Sequence, residues 1–415
     1  MPERETLSLV IVGHVDHGKS TLIGRLLLDT ESLPAGKLEE VRRATAAGNV
    51  ELAHIMDALE EERTQMMTID TAQAFFKSAR RDYAIIDAPG HRELTKNMIT
   101  GASRAEAALL VVDGAEGMQE QTRRHAYFLS LLGIGQVAVL INKMDTISYD
   151  RKRFEQVVAE VCKFCDTVGL KPSQIIPGSA MAGDNIVKPS ERMAWYAGPT
   201  VMEVLEEFHT DSARVESPLR FPIQDVYPHA GKRIYVGRVE SGQISAGQKI
   251  VFLPSGATAS VKAIEVFEES RKSAGAGECI GIILDSDLTL DRGEVACAAE
   301  QPPKPTRRFR ANLFWMWPEP FRVGDNLTVR VATQECRCKL EKIEQRMDSS
   351  TLAVLEENAM SLGDTEVGRV VLSAEKPIVL DAVGEVPELG RFVIAREMDA
   401  EGGGIIISAA DVLVS

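Results

Sequence analysis

The stretch Ile11–Thr21, IVGHVDHGKST, decides the fold. Its spacing, Gly13-x-x-x-x-Gly18-Lys19-Ser20, follows an apolar run, LSLVIVG, and leads into a helical pattern, KSTLIGRLLLDT. Strand, glycine-rich turn and helix in that order make a phosphate-binding loop: glycines let backbone amides turn inward, and the helix N-terminus adds its dipole. On this reading Gly13, His14, Val15, Asp16, His17, Gly18, Lys19, Ser20 and Thr21 line the phosphates. Lys19 reaches the β- and γ-phosphates, and the Ser20 hydroxyl ligates Mg²⁺.

Outward from the loop, apolar runs alternate with helical segments. DYAIIDAPG, AALLVVDG and QVAVLINKMD are short and rich in β-branched residues, and QTRRHAYFLSLLG lies between two of them as a helix. Such alternation predicts a parallel sheet covered on both faces, with ligands bound outside the carboxyl ends of its strands. Each run ends in a turn suited to that place.

The loop alone does not choose between ATP and GTP. NKMD, Asn142–Asp145, does: a carboxylate at Asp145 accepts from the N1–H and 2-amino group of guanine, whereas adenine has no matching donor pair. Asn142 braces the loop and touches the base, and Lys143 lies along the ring face. GSA, with Ser179 and Ala180, offers a backbone amide to the guanine carbonyl. Asp87 in DAPGH holds Mg²⁺ through water, and the Gly90 amide meets the γ-phosphate as part of a switch. Thr68 in EERTQMMTID supplies a second hydroxyl to the metal. His91 positions the attacking water, so His91, Lys19 and Thr68 form the expected catalytic set.

After about Thr210 the texture changes to strand-length runs broken by Gly, Pro and polar turns. This predicts two antiparallel β-barrels divided near CAAEQPPKPTRRFR. The expected domains are a GTP-binding domain over 1–212 and barrels over 213–302 and 303–415. A chain of 415 residues is too long for one ordinary core, and 44% hydrophobic with 26% charged residues argues against disorder. No run approaches the roughly 18–20 apolar residues that span a bilayer, and the N-terminus does not read as a secretory signal, so a cytoplasmic protein is expected. The net charge of −14 argues against general duplex binding. Cys162 and Cys165 read as thiols of an amphipathic helix, and Cys336 and Cys338 as strand residues.

In order, GHVDHGKST, DAPGH, KNMITGA, NKMD and GSA resemble the translation-factor-like GTPases, the group of elongation factors Tu and 1-alpha. That resemblance implies an α/β phosphate-loop GTPase domain with a parallel sheet, followed by two antiparallel β-barrels. It further implies GTP/GDP and Mg²⁺ as ligands, His91 aligning the water, switches around Thr68 and Gly90, and a role for Asp16 near a cation. Within the group, LIGRLLLDTESLPAGKLEEV, RFPIQDVY and GQKIVFLPSG look closer to the GTPase (large) subunit of sulfate adenylyltransferase. The expectation is therefore a subunit whose GTP hydrolysis is coupled to adenylyl transfer from ATP to sulfate on a partner small subunit carrying a pyrophosphate loop, with no membrane partner and with nucleic acid, as tRNA, expected only under the alternative. The alternative is an elongation factor delivering aminoacyl-tRNA. Two positions depart from pattern: Met66-Met67 stand before Thr68 where Gly-Ile is usual, and His17 is the elongation-factor choice.

Overall fold

The computed structural model describes residues 5–33, 73–87, 105–209, 217–229, 232–266, 269–396, 399–406, 408 and 411–413. The chain divides into two compact units, residues 1–130 with 134–210 and residues 131–133 with 211–415.

The first unit is built on a six-stranded sheet: β1 (Thr6–Gly13), β2 (Gln73–Lys77), β3 (Asp82–Asp87), β4 (Ala107–Asp113), β5 (Gln136–Asn142) and β6 (Gln174–Pro177). Their order is β2-β3-β1-β4-β5-β6. β1 pairs in parallel with β3 and β4, and β5 with β4 and β6. The order reverses at β1, so the crevice beyond its carboxyl end is the place where such sheets bind ligands. β4 is buried at every position, as a strand covered on both faces must be. One edge departs from the expected parallel sheet: β2 runs antiparallel to β3. The turn between them is closed by the Ser78 amide on the Arg81 carbonyl at 2.9 Å, far too short for the crossover that a parallel pair needs.

Helices α1 (Lys19–Asp29), α2 (Glu120–Leu131), α3 (Arg151–Val168) and α4 (Val201–Glu207) belong to this unit. α1 buries Leu22, Ile23, Leu26 and Leu27 in a core shared with Leu9, Ile11, Leu109 and Val111. α3 buries Phe154, Val157, Val161, Cys165 and Val168 at helical spacing, starts at the Asp150 cap and ends at Gly169 in the left-handed region. The Cys162–Cys165 pair thus has one exposed and one buried member on a helix, and all six cysteines are free thiols. Among the described residues no helix is long and apolar enough to cross a membrane.

The second unit holds two closed antiparallel barrels. In the first, the path Lys249–Leu253, Val295–Ala298, Arg220–His229, Lys232–Arg238, Cys279–Leu284, Thr258–Val266 closes by pairing its last strand with its first. In the second, the strand Asn326–Val331 closes on Gln334–Asp348 in the same way. Trp315 is fully buried, stacked on Phe321 with 4.7 Å between ring centroids, and Trp317 packs partly buried against the same core. Cys336 and Cys338 point together into it. The basic residues opening this barrel serve the sheet: Arg308 pairs with Glu341 at 2.7 Å, and Arg310 grips Glu344 at 2.9 and 3.1 Å. Arg220 of one barrel and Asp381 of the other form a buried two-point ion pair at 2.7 and 3.0 Å.

Candidate nucleotide site

The loop between β1 and α1 carries the conformations its glycines announced. Gly13 has φ 152 and Gly18 φ 88. A Cβ on Gly13 would sit 2.3 Å from the Val111 carbonyl oxygen, and one on Gly18 would sit 2.5 Å from the Asn142 amide nitrogen. Both positions need glycine for space as well as for angle. Asp16 also lies at positive φ, exposed at the loop's tip. The Lys19 ammonium donates to the carbonyls of Gly13 and His14 at 2.9 and 2.7 Å, which holds a positive charge over the loop. Ser20 is exposed on the first turn of α1, with Thr21 half-buried behind it. The register of β1 on β3 sets Asp87 beside Ile11, so Asp87 ends its strand next to the loop.

Two loop residues face inward. His17 is fully buried. Its Nδ1 lies 3.2 Å from the Asp113 amide and 3.3 Å from the Val111 carbonyl, and its Nε2 lies 3.4 Å from Glu116, so on a neutral ring Nδ1 has a partner in either tautomer. Burial lowers its pKa, which favours the neutral form. Its side chain is therefore a prop beneath the loop, and its carbonyl is what the site uses. Val15 offers its amide to the Gln121 side chain at 3.2 Å, and Gly13 offers its own to His125 Nδ1 at the same distance. Burial drives His125 down to about 3, so it stays a neutral acceptor. Gln121 and His125 stand one turn apart on α2 and form a shelf under the loop. His14, half-buried, meets the His17 ring edge-on at 5.1 Å.

Asn142 ties the three loops together. Its amide nitrogen donates to the His17 carbonyl at 2.9 Å, and its oxygen accepts from the Ala180 amide at 2.9 Å. Of the GSA amides expected to serve the guanine carbonyl, that of Ala180 is engaged by Asn142 in this structure. Lys143 sits at φ 59 with its ammonium 2.8 Å from Asp113, so its charge is anchored and its methylene stem is what remains for a ring face. Burial would raise the Asp113 carboxyl, but the Lys143 hydrogen bond and the amides of Ala115 and Glu116 hold it below its ordinary value. Asp145 is exposed, and the Ser179 hydroxyl donates to its Oδ1 at 2.5 Å. On the far side, Arg25 of α1 donates to the Ala180 carbonyl at 2.9 Å and also reaches the Met181 carbonyl. Phosphate loop and base loops are thus one hydrogen-bonded frame.

Thr68, Gly90 and His91 lie outside the described residues, as does the Asp87 side chain. Sequence reasoning missed Arg25, Asp113, Gln121 and His125. The i, i+4 pair of polar residues within the α2 pattern was a signal for the last two; no local signal marked the others.

Comparison with known proteins follows the same lines. The family described as elongation factor Tu GTP binding domain matches residues 4–211, elongation factor Tu domain 2 matches 232–297, and GTP-eEF1A C-terminal domain-like matches 308–407. Elongation factor 1-alpha of Archaeoglobus fulgidus is 39% identical over 414 residues, covering 98% of each chain. That of Pyrococcus horikoshii is 40% identical over 420 residues, again covering 98% of each. Among solved structures, Sup35 complexed with GDP covers 98% of this chain and 95% of its own at 23% identity with a TM-score of 0.47, a score on which no argument rests.

These relatives overturn one expectation. A sulfate adenylyltransferase subunit, with the small subunit as partner, gives way because full-length relatives are elongation factors. With it goes the expectation that nucleic acid is no partner of the main reading; the net charge of −14 argued only against general duplex binding. The reason is physical: loops that grip guanine and phosphate do the same work in both branches, so the residues touching the nucleotide do not distinguish them.

Proposed function

The chain belongs to the elongation factor Tu family of GTP-binding GTPases, and from that premise we propose that it is a translation elongation factor carrying aminoacyl-tRNA in its GTP state, in the cytoplasm. The observation that carries this is the 39–40% identity to elongation factors 1-alpha across 98% of the chain.

In this reading the amides of the Gly13–Thr21 loop and the Lys19 ammonium hold the phosphates. Asp145 reads the guanine edge, Asn142 orients the base, and the Lys143 stem covers one ring face. Ser179 keeps Asp145 aimed. Ser20, Thr68 and Asp87 are hard oxygen donors of the kind Mg²⁺ takes, and Ser20 is exposed on the first turn of α1. When bound, the metal neutralises phosphate charge. His91 aligns the attacking water, and the Gly90 amide couples the γ-phosphate to a switch.

For the tRNA, a cavity of about 610 Å³, lined by the first barrel and by Thr333 of the second, is the candidate. It lies in the usual size range of ligand pockets. Ile234, Val236 and Ile280 give it apolar walls for a nucleobase, Glu265 an acceptor for an exocyclic amine, and Arg238 an exposed cation for phosphate. The test is protection of the aminoacyl ester of charged tRNA against hydrolysis. Protection is expected with a non-hydrolysable GTP analogue and not with GDP; equal protection in both states, or none in either, refutes the assignment.

A further inference from the structure

A second ring of side chains lies behind the base-reading loops. After Asp145 the chain completes a single 3-10 turn, Met144–Ile147, and leaves through Ser148 and Tyr149 at φ 55 and 57. Side chains other than glycine rarely hold that conformation unless the surroundings impose it. Here they do. The Tyr149 amide donates to the Met144 carbonyl at 2.8 Å, and its hydroxyl donates to Asp184 Oδ2 at 2.9 Å.

Asp184 belongs to the other base-reading loop. It exchanges two backbone hydrogen bonds with Ser179, both 3.1 Å. Ser179 in turn donates its hydroxyl to Asp145 Oδ1. The circuit therefore closes: Asp145 to Ser179, Ser179 to Asp184, Asp184 to Tyr149, and Tyr149 through the 3-10 turn back to Asp145. Two further groups lock it. The Ser190 hydroxyl donates to Asp184 Oδ1 at 2.7 Å. Arg192 donates to the Tyr149 oxygen at 2.8 Å and to Asp184 Oδ2 at 3.3 Å, with its guanidinium 5.7 Å from the Tyr149 ring centroid.

A purely stabilising role accounts poorly for this arrangement. The Arg192 side chain is 60% exposed, and exposed ion pairs contribute little to folding. What the ring does determine is how the outer ends of the two base-reading loops, already joined through Asn142–Ala180 and Ser179–Asp145, are held relative to each other. We infer that Tyr149 and Asp184 are positioning residues for base selection, acting through Ser179 to hold the Asp145 carboxylate where it accepts from the 2-amino group of guanine. The inference rests on the guanine reading proposed above.

The test compares release of fluorescently labelled GDP and IDP from the full chain and from Tyr149→Phe and Asp184→Asn. Inosine lacks the 2-amino group and keeps everything else. In Tyr149→Phe, which removes one hydroxyl, GDP release is expected to quicken roughly five- to tenfold and IDP release less than about twofold. The ratio of the two rates then moves toward one while the melting temperature stays close to that of the unaltered chain; Asp184→Asn moves the ratio the same way. A ratio unchanged in both variants, or both rates rising together with a lower melting temperature, reduces the ring to a brace and overturns the inference. If the unaltered chain already releases GDP and IDP at one rate, the guanine reading is at fault, and the inference falls with it.

Discussion

At the scale of single residues, the site divides into groups visible in the sequence and groups that only folding brings in. Gly13, Gly18 and Lys19 were legible as a loop because the pattern that names them is contiguous in the sequence. Asp113 and His125 were not, because each meets the loop from a distant strand or helix. Asp145→Asn should lower guanine affinity by about a hundredfold or more and favour xanthine nucleotides, since an amide matches the xanthine edge as a carboxylate matches guanine; competition binding with XDP checks this. Gly13→Ala should abolish nucleotide binding, because its Cβ has only 2.3 Å to the Val111 oxygen. His125 carries a pH signature. Its folded pKa of about 3 lies below the ordinary 6.5, so beneath 6.5 the unfolded chain takes up a proton that the folded chain refuses. Stability from this group is complete above that value and is lost as pH falls toward 3, at up to about 1.4 kcal/mol per pH unit. His125→Asn keeps an acceptor for the Gly13 amide and should remove that slope, read from urea midpoints at about pH 7 and about pH 5.5.

At the scale of elements, the alternation of β-branched runs with helices gave β1, β3, β4, β5 and α1 in their places, because buried parallel strands leave an uninterrupted apolar signature. The direction of β2 was not legible, since it is set by a short polar hairpin, Ser78–Arg81, rather than by periodicity. Nor was the link between the barrels, where Arg220 and Asp381 lie 161 residues apart and bury their side chains to 4% and 7% exposure. Removing one partner strands a charge in that interior. Asp381→Ala should cost about 3–5 kcal/mol by chemical denaturation, while replacing both residues with apolar ones of similar volume should restore most of it.

At the scale of the whole molecule, chain length pointed to more than one folding region but not to the branch of the family. No short motif encodes a surface assembled from several strands, and the motifs that are short belong to the nucleotide site. Every described residue of the nucleotide frame lies in the first unit. We propose 1–212 as the separable GTP-binding domain, and a fragment with those ends should bind GDP within about threefold of the full chain, since distant groups contribute nearly additively. The claim beneath all of this is that a guanine nucleotide is held at the carboxyl ends of the strands, its phosphates in the Gly13–Thr21 loop and its base against Asp145. Calorimetric titration of the nucleotide-free chain with GDP and with ADP, both with Mg²⁺, tests it most directly. One site saturating with GDP and no heat of binding with ADP is the predicted result; equal binding of the two, or no binding of GDP, would contradict it.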